Sequence, residues 1–314
     1  MIDILAVGEL LIDMTPIQFD GQKGFQPNPG GAPCNMLAMA QSLGAQTAFI
    51  GKVGKDQFGL QLKQTLVNQN INVQGLVMSD QVPTTLAFVH LTEEGDRSFS
   101  FYRKNCADVM LTHKEVNYNL IDEAKVIHFG SLSFTDDPLK TTLIKILDYA
   151  KDKNKLITYD PNYRPALWSD ERTALKYMRL GLKYADILKV SDEEAFLLTG
   201  EKDLKEACLK LAEHDIKLIT ITLGADGCLY HYNGTFEHIP GYKSQVVDTT
   251  GAGDSFFGAV ISSLYDTSLN ELSISQIEDA VRLGNASASL VVEGFGGIPS
   301  IPTKEAVIQR LNNK

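Results

Sequence analysis

Short apolar runs recur along this chain with longer stretches between them, and that recurrence limits the fold more than any other feature. Ile2 to Val7, Thr47 to Val53, Val126 to Gly130, Leu156 to Asp160, Ile187 to Val190 and Leu218 to Leu223 are such runs. Patterns of helical period separate most of them, as in Pro33 to Ser42, with Gly44 beyond its end, and Phe58 to Asn68. A strand buried on both faces reads as a continuous apolar run, and strands alternating with helices build parallel sheets. The pattern predicts a mainly parallel sheet covered by helices on both faces, a three-layer α/β/α sandwich.

Two regions break the rhythm. Residues 9–32 are rich in Gly, Pro and short apolar patches and read as irregular strands and loops. Thr84 to Leu91 and Arg97 to Arg103 alternate like half-exposed strands, joined by the turn Glu93-Glu94-Gly95-Asp96. Together, about 9–32 and 84–105 read as a small β-sheet lid on one domain spanning 1–314. The chain has 314 residues, 44% of them hydrophobic, which is enough for one large core.

Net charge is -10, which argues against a nucleic-acid partner. An anionic nucleotide is still allowed, because helix N-termini and a few local cations bind phosphate on an acidic protein. Cys34, Cys106, Cys208 and Cys228 are widely spaced, with no Cys-x-x-Cys pair and no His at ligand spacing. That pattern argues against disulfides and zinc and for a reducing, cytoplasmic setting. Asp3 and Glu9 flank the short N-terminal apolar run, unlike a signal peptide, and no stretch is apolar for long enough to span a membrane.

The most informative stretch is Asp248-Thr249-Thr250-Gly251-Ala252-Gly253-Asp254-Ser255-Phe256, ahead of a strongly apolar segment. Its glycines let the backbone turn sharply and approach a ligand. The helix that follows would aim its first N–H groups at that turn, where an anion is favoured. Asp254 would sit in the first turn beside it. Phosphoryl transfer asks for this combination: a carboxylate to accept a hydroxyl proton, and N–H donors to meet charge on the transferring group.

This motif closely resembles the C-terminal signature of the ribokinase-type (PfkB) carbohydrate kinases. The resemblance implies a ribokinase-like fold, ATP with Mg²⁺, Asp254 as catalytic base, and an anion hole from the N–H groups of Gly251, Ala252 and Gly253. Asn28-Pro29-Gly30-Gly31-Ala32-Pro33-Cys34-Asn35 resembles the family's Gly-Gly signature. That match implies sugar contacts at Gly30, Gly31 and Asn35, with Asp13 of Gly8-Glu9-Leu10-Leu11-Ile12-Asp13 gripping hydroxyls. Phe101-Tyr102-Arg103 ends the lid hairpin, so Tyr102 and Arg103 would reach the sugar from above. Arg164, in Asp160-Pro161-Asn162-Tyr163-Arg164, would fork onto phosphate.

On the nucleotide side, Thr222-Leu223-Gly224-Ala225-Asp226-Gly227 resembles the family's Thr-x-Gly-x-x-Gly element and implicates Thr222, Gly224 and Gly227. Ser191 and Glu194 match an Asn-x-x-Glu element that organises Mg²⁺, with Ser in place of the usual Asn. Asn285 falls near the expected adenine site. Asp248, Thr250, Gly296 and Ser300 match segments that hold a monovalent cation such as K⁺. In many relatives two lids pack together, which implies a homodimer; the alternative is a monomer whose lid folds on its own body.

Other readings fit less of the chain. A Rossmann Gly-x-Gly-x-x-Gly is absent after the first strand, and Gly51-Lys52 is no P-loop. A sugar-sensing protein on a dead kinase fold would have no need of Asp254 and its glycines. Within the kinases, Gly-Glu-Leu-Leu-Ile-Asp, Phe-Tyr-Arg and Asp-Pro-Asn-Tyr-Arg-Pro-Ala-Leu-Trp look most like fructokinases, with 2-keto-3-deoxygluconate kinases and nucleoside kinases as alternatives.

Overall fold

The computed structural model describes residues 1–19, 21–91 and 97–312. Ile2–Val7 (β1) leads into Leu11–Phe19 (β2) and Gln22–Gly30 (β3). Ala32–Ser42 (α1), Thr47–Gly54 (β4), Gln57–Asn68 (α2) and Asn72–Ser79 (β5) follow, then Leu86–Leu91 (β6) and Arg97–Tyr102 (β7). Helices and strands next alternate: Tyr118–Glu123 (α3), Ala124–Gly130 (β8), Leu139–Asp152 (α4), Leu156–Asp160 (β9), Glu171–Leu182 (α5) and Ile187–Ser191 (β10). Asp192–Thr199 (α6), Leu204–Ala212 (α7) and Leu218–Thr222 (β11) continue the pattern. Cys228–Tyr232 (β12), Thr235–Ile239 (β13), Ala252–Leu264 (α8), Ile274–Val291 (α9) and Lys304–Asn312 (α10) complete the described chain.

Among the described residues the main sheet has nine strands in the order β13-β12-β11-β10-β9-β8-β1-β4-β5. It is parallel from β5 to β11, with β12 and β13 added antiparallel at one edge. All six residues of β1 are buried, and they divide by alternation: Leu5 and Val7 join one apolar cluster, Ile4 and Ala6 the other. The first cluster takes in α4 and α5 through Leu143, Ile146 and Met178. The second takes in α1, α8 and α9 through Leu37, Phe257 and Val281. The three layers expected from the sequence are these.

The small sheet has the order β3-β2-β6-β7. Residues 9–32, expected to be irregular, form a long regular hairpin in which Leu11 pairs with Gly30 and Phe19 with Gln22. The prolines were misleading, because Pro27 and Pro29 lie on the edge strand β3. Pro16 lies beyond Met14, where the pairing of β2 with β6 stops. Proline is tolerated where no ladder hydrogen bond is required of it. The expected turn 93–96 lies outside the described residues.

Helices α1 and α8 pack closely enough that a methyl group on Gly258 would come within 2.3 Å of the Met36 carbonyl oxygen. Glycine is what lets these two backbones touch. Gly258→Ala gains helix propensity of about 1 kcal/mol, but it must push α1 away. We expect a net loss of about 1–3 kcal/mol, as for overpacked cores, read as a lower midpoint in thermal denaturation. An unchanged midpoint would show that the crossing is loose.

Candidate active site

The parallel strands deliver their C-terminal ends to one edge, and the polar side chains gather there. Glu9 follows β1, Asp160 ends β9, Ser191 ends β10 and Thr222 ends β11. A cavity of about 470 Å³ runs along this edge; its wall includes Glu9, Asp13, Asn35, Arg164, Lys189 and Asp254. A second cavity of about 240 Å³ adjoins it through Thr222, Gly224, Thr249 and Gly253. Its apolar wall comes from Tyr242, Val246, Phe256, Ala288 and Val292. The edge past the strand ends is where open α/β sheets bind ligands.

Helix α8 begins at this edge. Gly251 stands at its N-cap in the left-handed region, with φ 77°, and no side chain caps the helix. An uncapped first turn presents N–H groups and partial positive charge to an anion. Asp254 lies in that turn and accepts a 2.8 Å hydrogen bond from Nδ2 of Asn35 on α1. The protein around Asp254 withholds water, and Asp160 repels its charge, so its pKa rises to about 6. Asn35, Lys189 and Arg164 pull the other way.

The sugar-side residues assemble from β2, β3 and α1. Asp13 lines the cavity from β2, and its pKa is pushed up to about 7, first by burial and then by Asp248 and Asp254, against Arg164. Gly30 makes room for it: a side chain there would strike the Asp13 carboxylate at 2.1 Å. Gly31, with φ 119°, packs against the Glu9 carbonyl and lines the cavity. Glu9 is buried and accepts the Ala32 N–H at 3.2 Å, and burial raises its pKa to about 7.

Two expected sugar contacts lie elsewhere. Phe101, not Tyr102, lines the cavity. Successive strand residues face opposite ways, and Tyr102 is 65% exposed and packs edge-on to Phe88. Arg103 is buried behind the site. Its guanidinium donates to Asp108 at 2.6 Å, Thr135 at 2.8 Å and the Leu132 carbonyl at 3.0 Å. Arg164 does line the cavity, exposed, donating to the Tyr163 carbonyl at 3.0 Å.

On the nucleotide side, Ser191 and Glu194 form a capping box on α6. The Ser191 hydroxyl accepts the Glu194 N–H at 3.1 Å, and Glu194 accepts the N–H groups of Ser191 at 2.9 Å and Tyr163 at 2.6 Å. Ser191 thus fills the helix-capping place that an Asn would also fill. Gly227 and Asn285 line the second cavity, where Asn285 donates to the carbonyls of Ile239 and Pro240 at 3.0 and 3.1 Å. Ala252 lines it too.

Behind the α8 turn, Asp248 accepts the Thr250 N–H at 2.7 Å and the Gly296 N–H at 3.0 Å. The Ser300 hydroxyl donates to the carbonyls of Gly296 and Gly297. All four expected cation residues thus belong to one knot of loop. Lys189 and Asp160 were not foreseen. Lys189 Nζ donates to Asp160 Oδ2 at 2.9 Å, both side chains nearly inaccessible. The sequence signal was a lone cation inside the apolar run Ile187 to Val190.

This arrangement has close counterparts. The family model for pfkB family carbohydrate kinases matches residues 1–304. The chain belongs to the pfkB family. Probable fructokinase-6, chloroplastic, of Arabidopsis thaliana is 39% identical over 98% of this chain and 82% of its own length. A fructokinase from Xylella fastidiosa with bound ATP superposes with a TM-score of 0.91 at 26% identity, covering 99% of this chain and 98% of that one. A fructokinase double mutant from Vibrio cholerae O395, in its fructose, ADP and potassium ion bound form, gives 0.91 at 28% identity with the same coverage. The chain is a sugar kinase with the ribokinase-like fold.

The base role expected of Asp254 requires its charged form, which prevails above about pH 6. We expect kcat/KM to rise through pH 6 and level off above it, with an acid limb about tenfold per pH unit. Asn35→Ala removes a donor that holds the pKa down, so its limb moves to higher pH. Paired pH–rate profiles test this; a profile flat from about pH 5 to 8 would take the base role from Asp254.

Proposed function

We infer that this kinase transfers the γ-phosphoryl group of ATP to the 6-hydroxyl of fructose, with Asp254 as the base. The observation that carries the reading is the carboxylate in the first turn of an uncapped helix, in a cavity shared with Asp13 and Asn35. Fructokinases at 39% and 36% identity are among the relatives, and one solved relative holds fructose. In this reading Asp13 accepts hydrogen bonds from ring hydroxyls while Gly30 and Gly31 let the ring lie close to backbone. Asn35 bridges sugar and base, so the hydroxyl it helps orient faces Asp254. The N–H groups of Gly251, Ala252 and Gly253 meet charge on the transferring phosphoryl group, and Arg164 adds a cation at the cavity rim. Phe101 and the small sheet close over the sugar and exclude water, the competing acceptor.

The second cavity suits adenine, with Tyr242, Ala288 and Val292 against its faces and Asn285 fixing the wall behind it. The described residues hold no cluster of three His, Cys, Asp or Glu side chains that would take a metal alone. That suits Mg²⁺, which is held largely by phosphates and water and neutralises their charge; Asp192 and Glu194 stand on the same wall. The Asp248, Thr250, Gly296 and Ser300 knot offers oxygen donors suited to K⁺, one of the ions in the Vibrio cholerae structure. No described helix is long and apolar enough to cross a membrane. The four cysteines are free and buried, which suits a reducing compartment such as the cytoplasm.

Asp254→Asn keeps the shape and removes the charge. We expect kcat to fall at least about a hundredfold, with fructose KM nearly unchanged. A variant with near-native turnover would refute the assignment.

The small sheet also supports a homodimer. Phe25, Phe88 and Tyr102 pack edge-to-face at 5.1 and 5.3 Å, and Phe25 and Tyr102 are 46% and 65% exposed. Pairing two such faces would cover them and stiffen each lid. The protein should elute as a dimer, and Phe25→Asp should give a monomer with raised fructose KM. A fully active monomer at every concentration would remove the dimer.

A further inference from the structure

Glu9 is a buried carboxyl at the site to which the reaction so far gives no task. It stands just past the end of β1, 3% exposed, in the wall of the main cavity. Its Oε1 accepts the Ala32 N–H, at the start of α1. Its Oε2 is buried and, among the described residues, has no hydrogen-bond partner. Leaving a buried oxygen unpaired is costly, and such atoms ordinarily find a protein group or an ordered water.

A small pocket of about 10 Å³ has both Glu9 and Asp254 in its wall, with Met36, Leu132 and Phe257 as apolar neighbours. That is room for one water and for nothing larger. An ionised carboxylate can accept about four hydrogen bonds, and Asn35 supplies one of them to Asp254. Two other polar residues of this wall are engaged by the fold. A ring nitrogen of His128 lies 3.1 Å from the Thr158 hydroxyl, and Asp160 accepts from Lys189 and from the Asn162 N–H. The surrounding charges set which way the hydrogen bonds run. Burial pushes the Glu9 pKa up to about 7; Arg103, just past β7, pulls it down, while Asp108 and Asp254 push it up. Cys34 on α1 is an uncharged thiol and His128 on β8 a neutral ring, each chiefly because it is buried. Asp254 takes its charge at about pH 6, where Glu9 is still mostly protonated and carries an O–H donor.

We propose that this pocket binds one ordered water, which accepts from the Glu9 carboxyl and donates to the Asp254 carboxylate, so that Glu9 is a positioning residue for the base. The proposal rests on the base role given to Asp254 above. Two donors, the Asn35 amide and the water, then hold the carboxylate with a lone pair left for the sugar hydroxyl. Both arms trace back to one helix: Asn35 lies on α1, and the Ala32 N–H at its start anchors the other Glu9 oxygen. Glu9 makes no bond to sugar or nucleotide in this scheme. The sugar proton still passes to Asp254, and the water and Glu9 keep their own protons.

Glu9→Leu keeps the bulk and removes the bridge. Its kcat should fall about tenfold or more, since misplacing a reacting group by about 1 Å can cost up to about a hundredfold. Fructose KM should stay within about twofold, because no sugar contact is lost. The acid limb of kcat/KM should move to higher pH, because the charged form of Asp254 loses a donor. Glu9→Gln has an amide donor where the neutral acid has its hydroxyl, so it should restore most of kcat and return the limb to its wild-type place. A purely structural Glu9 would lower stability and leave the limb still. Wild-type kcat and limb in Glu9→Leu, or a Glu9→Gln variant as impaired as Glu9→Leu, would overturn the proposal. A high-resolution crystal structure of the full chain reads the water directly. Density within hydrogen-bond distance of Glu9 Oε2 and the Asp254 carboxylate is the expected result; a dry pocket would overturn the proposal even if Glu9→Leu fails to fold. Near-native turnover in Asp254→Asn would instead defeat the base reading, and the same density would still decide whether the pocket holds a water.

Discussion

One hydrogen bond joins the two halves of the sequence at the reacting centre: Nδ2 of Asn35 to Oδ2 of Asp254, 2.8 Å across 219 residues. It exists because α1 and α8 pack backbone to backbone, with Gly258 against the Met36 carbonyl. The first helix after the Gly-Gly turn carries the sugar-side amide. The helix after the second glycine turn carries, in the proposed reading, the base and the anion hole. In that reading sugar and phosphate meet a common carboxylate only where these helices cross. The parallel sheet serves that crossing by bringing Glu9, Asp160, Lys189 and Thr222 to the same edge.

The electrostatics of the site resolve an apparent conflict. A chain of net charge -10 handles a polyanion. It does so through local donors, namely an uncapped helix end, the buried Lys189 and the exposed Arg164. The acids around them are correspondingly unsettled. Glu9, Asp13 and Asp254 have pKa values raised to about 7, 7 and 6, each chiefly by burial. Raised carboxylates are poised to exchange protons near neutrality, which suits a base that must take up a sugar proton and release it each turnover.

Much of this was legible in the sequence, for identifiable reasons. Buried parallel strands announce themselves as apolar runs, and the nine-residue motif around Asp254 is specific enough to name the chemistry. The hairpin β2–β3 was hidden because Pro27 and Pro29 sit on an edge strand and Pro16 lies beyond the pairing of β2 with β6, a property of the sheet and not of the segment. Strands β12 and β13 are short and joined by a tight turn, and only the single 3₁₀ turn Gly224–Asp226, no α-helix, separates them from β11. At the lid's end the reading missed by one residue: the pleat sends Phe101 inward and Tyr102 outward. Arg103 was taken for a ligand contact, but its partner Asp108 becomes visible only once the chain has folded. Lys189 was passed over for the same kind of reason, since only the fold shows it lying against Gly253.

The central claim is that Asp13 and Asn35 hold a fructose so that one primary hydroxyl faces Asp254. The position of the phosphate on the product reports that geometry directly. Incubation of the chain with ATP, Mg²⁺, K⁺ and carbon-13 fructose, followed by carbon and phosphorus NMR, locates it through the coupling of phosphorus to carbon. The account predicts fructose 6-phosphate as the sole sugar phosphate. Phosphate on C1 would reverse the assigned orientation of the sugar, and no sugar phosphate at all would contradict the assignment of fructose as the acceptor.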